Sequence, residues 1–447
     1  MTKLKNKALE LTLSSALSYL EKDPEENLPK LMNLAEKLMD EEQYESKLRQ
    51  FRLAIEDKDS NWHRLLVSLF EDIDPEVRKT LANNFILNAF YKWSQNRQSN
   101  SEKYGCSIPW TILIDPTSAC NLHCTGCWAA EYGSRLNLSF ETLDSIISQA
   151  EELDMHFFLF SGGEPLVRKD DIIRLCEKHS TSVFSAFTNG TLIDEAFADE
   201  MLRVKNFVPA ISVEGFREAT DSRRGQGTYD KVVDAVRILR SRRLPFGYSC
   251  CYTSANCRVI GSEEYFDWMI DTGAKFCWLF TYMPVGKGAP TDLMVTSEQR
   301  KWMYEQVRTF RKTKAIWSMD FWNDGEYVQG CVAGGRYYLH INANGDAEPC
   351  AFIHYSNYNI RDMSLLDVLK SPLFKAYQKG QPFSSNYLRP CPLLDNPERL
   401  PEMVDESKAV STDLAAPEDV HELACKCEEK AAGWKKTADE IWQEKHK

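Results

Sequence analysis

Apolar side chains recur every four positions through residues 74–93, at Val77, Leu81, Phe85, Ala89 and Trp93, behind Asp74-Pro75. A capping carboxylate, a proline in the first turn and one apolar stripe together predict a helix. Residues 9–19, 28–39 and 62–73 are spaced in the same way, and neither glycine nor cysteine occurs in residues 1–104. We expect a helical accessory region there, with the polar run 94–103 as a linker. The basic start of the chain admits a second reading, an amphipathic helix lying on a membrane surface or a partner.

From residue 108 to 321 the pattern changes. Short β-rich runs at 111–115, 156–160, 182–187, 207–213, 246–252 and 276–282 alternate with helical stretches at 139–153, 169–179, 194–203, 229–240, 263–272 and 297–311. Thr296 followed by Gln299 has the form of a capping box. Six βα units in series call for parallel strands joined by right-handed crossovers. Further on, Asn344-Gly345 between two β-like runs signals a hairpin. The tail from Leu400 is charged and helical, expected as a solvated closing helix. The organisation is therefore 1–104 helical, 105–322 βα core, 323–400 a small cysteine-bearing α+β unit and 401–447 a helical tail.

The chain has 447 residues and a net charge of −12, which argues against a general nucleic-acid surface. We find no signal-peptide pattern and no run of ~18 apolar residues that would span a membrane, so a cytoplasmic protein is expected. The 14 cysteines all lie at or beyond Cys106. In a reducing compartment they suit metal ligation, catalysis or small core positions better than disulfides.

Three of them organise the chemistry. After the first β run, Asp115-Pro116 opens a loop carrying Cys120, Cys124 and Cys127. Iron–sulfur cubanes take cysteine thiolates, normally four. Three within eight residues leave the fourth iron open to a ligand from outside the protein. Zinc is the alternative, but a structural zinc site wants four closed ligands.

This C-x3-C-x2-C loop resembles the signature of the radical S-adenosylmethionine (SAM) enzymes, and later motifs strengthen the resemblance. Gly162-Gly163-Glu164-Pro165 follows the second β run, Thr188-Asn189-Gly190 the third, Ser212-Val-Glu214-Gly215 the fourth and Met283-Pro284-Val-Gly286 the sixth. Asp221-Ser-Arg223-Arg224-Gly225-Gln-Gly227 is similar to a D-x-x-R-G-x-G stretch of peptide-modifying members. The resemblance implies a partial (β/α)6 TIM-like barrel and a [4Fe–4S] cluster whose open iron chelates SAM. It implies cleavage of SAM to a 5′-deoxyadenosyl radical that abstracts hydrogen from a substrate. It places Gly162, Gly163, Glu164 and Pro165 at the SAM ammonium, Ser212 near the ribose and Arg224 at the carboxylate. Arg223 can equally be a solvated helix-entry residue. Two positions depart from the pattern: Glu214 stands where relatives commonly have Asp, and Gly126 replaces an aromatic before the third cysteine. Trp128 then takes the stacking role or serves as core.

Past the barrel, Cys331-x13-Gly345-x4-Cys350 resembles the opening of SPASM and twitch domains, which carry auxiliary clusters. Cys391 is the natural third ligand, and Cys425 or Cys427 the fourth. A full SPASM set has seven cysteines, and five satisfy one cubane rather than two. Zinc is again the alternative, or three ligands leave an iron open. Cys106, Cys176, Cys250, Cys251, Cys257 and Cys277 read as inert core thiols. Cys250 and Cys251 alternate faces, so at most one looks into the barrel.

The sequence thus points to a radical SAM enzyme with a second, auxiliary [4Fe–4S] cluster and an external one-electron reductant such as flavodoxin or ferredoxin. Its substrate is a peptide or a small molecule. The D-x-x-R-G-x-G and hairpin motifs favour a peptide, whereas the helical N-terminus and aromatics such as Trp278, Phe280, Tyr282, Trp317, Phe321 and Trp322 suit an apolar compound. A non-catalytic, colourless zinc scaffold is the reading from another class.

Overall fold

Four-residue and six-residue apolar runs build the core of the fold: β1 (Thr111–Ile114), β2 (Phe157–Phe160), β3 (Val183–Thr188), β4 (Phe207–Ser212), β5 (Gly247–Tyr252), β6 (Phe276–Thr281) and β7 (Trp317–Asp320). β8 (Tyr338–Ile341) and β9 (Ala347–Glu348) complete a nine-stranded sheet in the order β7-β6-β5-β4-β3-β2-β1-β8-β9. Every neighbouring pair from β7 through to β8 is parallel, and β9 is antiparallel to β8. The computed structural model describes residues 3–37, 52–129, 136–286 and 288–446.

All six predicted strands are present, and helices Phe140–Glu151, Lys169–Lys178, Glu195–Val204, Thr228–Ser241, Glu263–Asp271 and Ser297–Thr313 follow them as expected. Their apolar faces (Ile147, Leu175, Met201, Leu239, Phe266, Val307) share one core with Phe158 and Phe184 from the sheet. Each such side chain contributes roughly 1.5–3 kcal/mol on burial. The other face of the sheet curls around a cavity, because Leu113, Leu159, Phe187, Ser212, Cys251, Trp278, Met319 and Tyr338, from eight different strands, all line it. The result is a mostly parallel, partial-barrel α/β architecture.

Three expectations are corrected. The parallel sheet has eight strands rather than six: β7 pairs Trp317 with Phe276, and β8, expected only as half of a hairpin, pairs Thr111 with Tyr338. β7, Trp317-Ser-Met-Asp320, lacks the apolar run that marks the equally short β1 and β2, and a partner for β8 more than 200 residues away leaves no local signal. The linker at 94–103 is helix Trp93–Tyr104. Asn96 and Asn100 donate to Asp154 Oδ2, and Arg97 stacks over Trp93 and Tyr337. The tail helix Val420–Lys445 is not simply solvated, since Leu423, Ala424, Cys427, Ala431, Trp434, Ala438 and Ile441 form a buried stripe. Arg300 lies 4.2 Å over Trp434 and donates to Asp395.

The helix predicted over 74–93 is α-helical at Pro75–Ala82 and π-helical at Asn83–Lys92. A strict four-residue repeat is longer than an α turn, and the wider π turns keep its apolar residues on one stripe. That stripe seals the start of the barrel: Phe85 sits 5.7 Å from Trp110 and 5.6 Å from Phe157, while Trp110 Nε1 donates to the Ala89 carbonyl. In the first helix, Lys3–Leu20, Leu20 packs with Leu28 and Ile55. The predicted end of the second helix at Met39 lies outside the described residues. Among the described residues no helix is long and apolar enough to cross a membrane. The Asn344-Gly345 turn joins β8 to β9 as predicted.

Candidate active site

β1 delivers the cysteine loop to one end of the cavity. Cys120, Cys124 and Cys127 all line it and are close enough for their charges to interact. The Leu122 amide already donates to Cys120 Sγ at 3.4 Å, the kind of hydrogen bond that stabilises a metal-bound thiolate.

Gly163 explains the next motif. A Cβ there would lie 2.3 Å from the Ala119 carbonyl oxygen, so only glycine lets the two backbones meet. Gly163 and Glu164 amides donate to the carbonyls of Thr117 and Ala119. The glycine pair therefore clamps the cysteine loop as well as lining the cavity. Glu164 is buried; Thr188 Oγ1 (2.6 Å), the Asn189 amide (2.7 Å) and the Leu166 amide (3.0 Å) donate to its carboxylate. Burial pushes its pKa up, against the pull of those donors. Pro165 starts a buried 3₁₀ turn, and Asn189 Nδ2 reaches back to Asn121 in the cysteine loop.

Ser212 ends β4 on the cavity wall. Glu214, fully buried just beyond it, receives both arginines: Arg223 at 2.7 Å and Arg224 Nε at 2.8 Å. Arg224 also lies 4.0 Å from Cys124 Sγ, while the Arg223 carbonyl accepts from the Thr125 amide. Neither arginine is a solvated helix-entry residue.

The second cysteine set surrounds its own cavity, lined by Cys331, Cys350 and Cys391 with Trp322 and Tyr377. Amides of Leu393 and Leu394 donate to Cys391 Sγ, that of Ala333 to Cys331 Sγ, and Tyr338 OH to Cys350 Sγ at 2.7 Å. Burial pushes Cys350 up to about 12 and Cys391 up to about 11, so these thiols stay neutral until a metal displaces their protons. Cys427 is buried and interacts electrostatically with Cys391, whereas Cys425 is exposed beside Glu428. Met283, Phe321, Val332 and Phe352 line both cavities, so the two cysteine sets face each other across shared walls.

The profile of the radical SAM superfamily matches residues 114–254, and that of the SPASM iron–sulfur cluster-binding domain matches residues 331–392. The chain carries a radical SAM domain followed by a SPASM domain. This radical SAM protein is 26% identical over 274 residues to the mycofactocin maturase MftC of Mycolicibacterium smegmatis, covering 57% of the chain and 67% of MftC. It is 31% identical over 155 residues to the Fe-coproporphyrin III synthase of Methanosarcina barkeri, covering 33% of the chain and 38% of that enzyme. The chain thus spans between about a third and two thirds of the length of these relatives. In fold it is similar to Streptococcus suis SuiB bound to S-adenosylmethionine, with a TM-score of 0.55 and 17% identity over 73% of this chain and 86% of that one.

The radical SAM domain carries a [4Fe–4S] cluster and SAM, and the SPASM domain an auxiliary iron–sulfur cluster. The residues present fit these groups: each cysteine set converges on a cavity, with protein donors already aimed at its sulfurs. Zinc fits less well at the cysteine loop, where three cysteines line the cavity and a structural zinc site takes four closed ligands. In a cubane each thiolate binds its own iron, so the sulfurs stand farther apart than around tetrahedral zinc.

Some site residues of this radical SAM protein were not legible beforehand. Tyr282, from the end of β6, occupies the room left by Gly126: a Cβ at Gly126, whose φ is +66°, would lie 2.7 Å from the Tyr282 ring. The Gly126→Ala variant is therefore expected to displace the cysteine loop and lose cluster iron, measured by iron content and EPR after reconstitution. Cys251 is the one of its pair that looks into the barrel, while Cys250 faces Tyr265.

Trp128 lines the cavity and packs edge-on against His340, Phe352 and His354. His340 bridges the two domains, with Nδ1 2.6 Å from Glu348 and Nε2 2.9 Å from Asp115, the latter off the hydrogen-bonding axis. Burial opposes its proton, but Asp115 and Glu348 outweigh that and push it up to about 10. A raised folded-state pKa contributes stability that is full below about 6.5 and fades as pH rises through about 10. Unfolding free energy at pH 7 and pH 10 should therefore differ more in the wild type than in His340→Gln; equal differences would refute the bridge.

Proposed function

We propose that this chain reductively cleaves SAM at the cluster held by Cys120, Cys124 and Cys127, and abstracts hydrogen from a substrate lying between the cysteine loop and the auxiliary cysteines. The observation that carries this reading is the single chamber, with the three-thiol loop at one end and walls shared with the second cysteine cavity. When bound, the cluster supplies the electron for SAM cleavage. The chain's own part is placement and exclusion of water. Gly162, Gly163, Glu164 and Pro165 anchor the loop and offer acceptors to the ammonium of SAM. Ser212 faces the ribose. The Arg224 fork, oriented by Glu214, suits the SAM carboxylate.

The auxiliary cluster takes Cys331, Cys350 and Cys391, with Cys427 as fourth ligand. Cys427→Ser should remove the auxiliary EPR signal while Cys425→Ser preserves it. An unchanged signal in Cys427→Ser would leave three ligands and an open iron.

The reductant is an external one-electron donor such as flavodoxin or ferredoxin, and the free thiols suit the reducing cytoplasm. Relatives include, by their names, a PqqA peptide cyclase of Granulibacter bethesdensis and the Fe-coproporphyrin III synthase, so they support either a peptide or a small-molecule substrate. The test is anaerobic reconstitution with iron and sulfide counts, EPR, and 5′-deoxyadenosine measured after dithionite reduction. Two cubanes and nucleoside release are expected; an intact cluster that never releases the nucleoside overturns the reading.

A further inference from the structure

The barrel interior of this protein is lined but not filled. Along β6 the outward residues Cys277, Leu279 and Thr281 are buried, whereas the inward Phe276, Trp278 and Phe280 keep accessible surface. A packed barrel core shows the opposite order, its inward layers being the tightest. The space is a cavity of about 380 Å³. Its aromatic wall runs from Phe187, 5.4 Å from Trp278 and 5.6 Å from Phe280, to Phe321, 5.4 Å from Phe280.

The charge distribution restricts what this space accepts. Glu164, Arg223 and Arg224 lie at the cysteine-loop end, and the other charged lining residue, Asp324, is held at both oxygens by Arg311. Among the described residues lining the lumen beneath the loop none is available to neutralise an ion, and burying an unpaired charge there is costly. Main-chain recognition has little room. β1 to β6 spend their amides and carbonyls on the parallel ladders, which leaves the outer edge of β7, and among the described residues before Gly105 there is no strand whose edge an extended peptide could join. Phe85, Trp110 and Phe157 shut the far end. One buried hydroxyl without a hydrogen-bond partner, Tyr282 OH, belongs to a residue at the loop end of β6 that lines the same space.

We propose that the substrate is a neutral, apolar small molecule whose ring or chain fills the aromatic part of this lumen, beyond the loop end assigned to the cluster and SAM, and whose single uncharged polar group meets Tyr282. The proposal rests on the radical SAM reading for its chemistry and on the lumen for its substrate class.

Titration of the anaerobically reconstituted full chain with the neutral fluorophore N-phenyl-1-naphthylamine tests it. We expect one saturable site per chain, displaced by 1-dodecanol but not by dodecanoate or an aromatic hexapeptide. Phe280→Asp should weaken the fluorophore by at least about tenfold with iron content and circular dichroism unchanged; Trp278→Asp serves if that variant fails to fold. Absence of a saturable site, displacement by the carboxylate or peptide as readily as by the alcohol, or indifference to both substitutions overturns the proposal. Substrate-free 5′-deoxyadenosine release in the same wild-type sample reports on the radical chemistry separately. Nucleoside release without fluorophore binding sinks the lumen assignment alone, and binding without release sinks the radical reading alone.

Discussion

Cys124→Ala is expected to lower 5′-deoxyadenosine formation by ~10³-fold or more, to the level of the cluster-free protein, because no other group in the chain supplies the electron. Iron content should fall by one cubane while the auxiliary EPR signal persists, since Cys331, Cys350 and Cys391 line a separate cavity. Cys124 is the informative choice among the three. Its sulfur lies 4.0 Å from Arg224, so its loss removes a cluster ligand and also the anion beside that guanidinium. Cys176→Ala, at a fully buried helical thiol outside both cavities, is the control and should keep both clusters. A SAM-responsive cluster signal surviving in Cys124→Ala would remove the basis of the catalytic account.

Glu214→Ala is expected to cost about 3–5 kcal/mol of stability, the usual penalty for removing one partner of a buried ion pair. Here one carboxylate with no exposed surface holds two guanidiniums whose side chains are 13% exposed. Removing it leaves both cations facing each other without the carboxylate that holds them together. Arg223 would also pull on Thr125 and Gly126, whose carbonyls it contacts, and so on the loop between the second and third cysteines. Anaerobic urea denaturation of the reconstituted protein measures the loss. Glu214→Gln should lose less, because an amide oxygen still accepts one guanidinium bond. A loss under about 1 kcal/mol in Glu214→Ala would mean the arginines are solvated like a surface pair, and the clamp would not hold as described.

Glu214 also shows where reading the chain stopped. Its place in the motif was visible, and its departure from Asp left its role open. The longer side chain reaches both arginines of the following helix, a contact the motif does not describe. Gly126 is similar. Its departure was legible, but the ring that fills the room comes from Tyr282, 156 positions later. The strands and helices of the core were legible because each encodes its own period and cap: Thr296 and Gln299 form the predicted capping box, and Asn344-Gly345 the predicted hairpin. β7 and β8 were not legible as barrel strands, because β7 mixes polar with apolar residues where β1 and β2 are apolar runs, and the barrel partner of β8 is remote in sequence.

Local spacing by itself determined the three-thiol loop, the glycine pair one unit later and the helices between strands, since in each the decisive atoms are joined by a few bonds. Only the tertiary structure decided that Cys251 rather than Cys250 faces the lumen, that Cys427 rather than Cys425 approaches Cys391, and that the interior stays open. Those outcomes depend on which face of an element meets which neighbour, a choice made by the packing of the whole sheet and its helices.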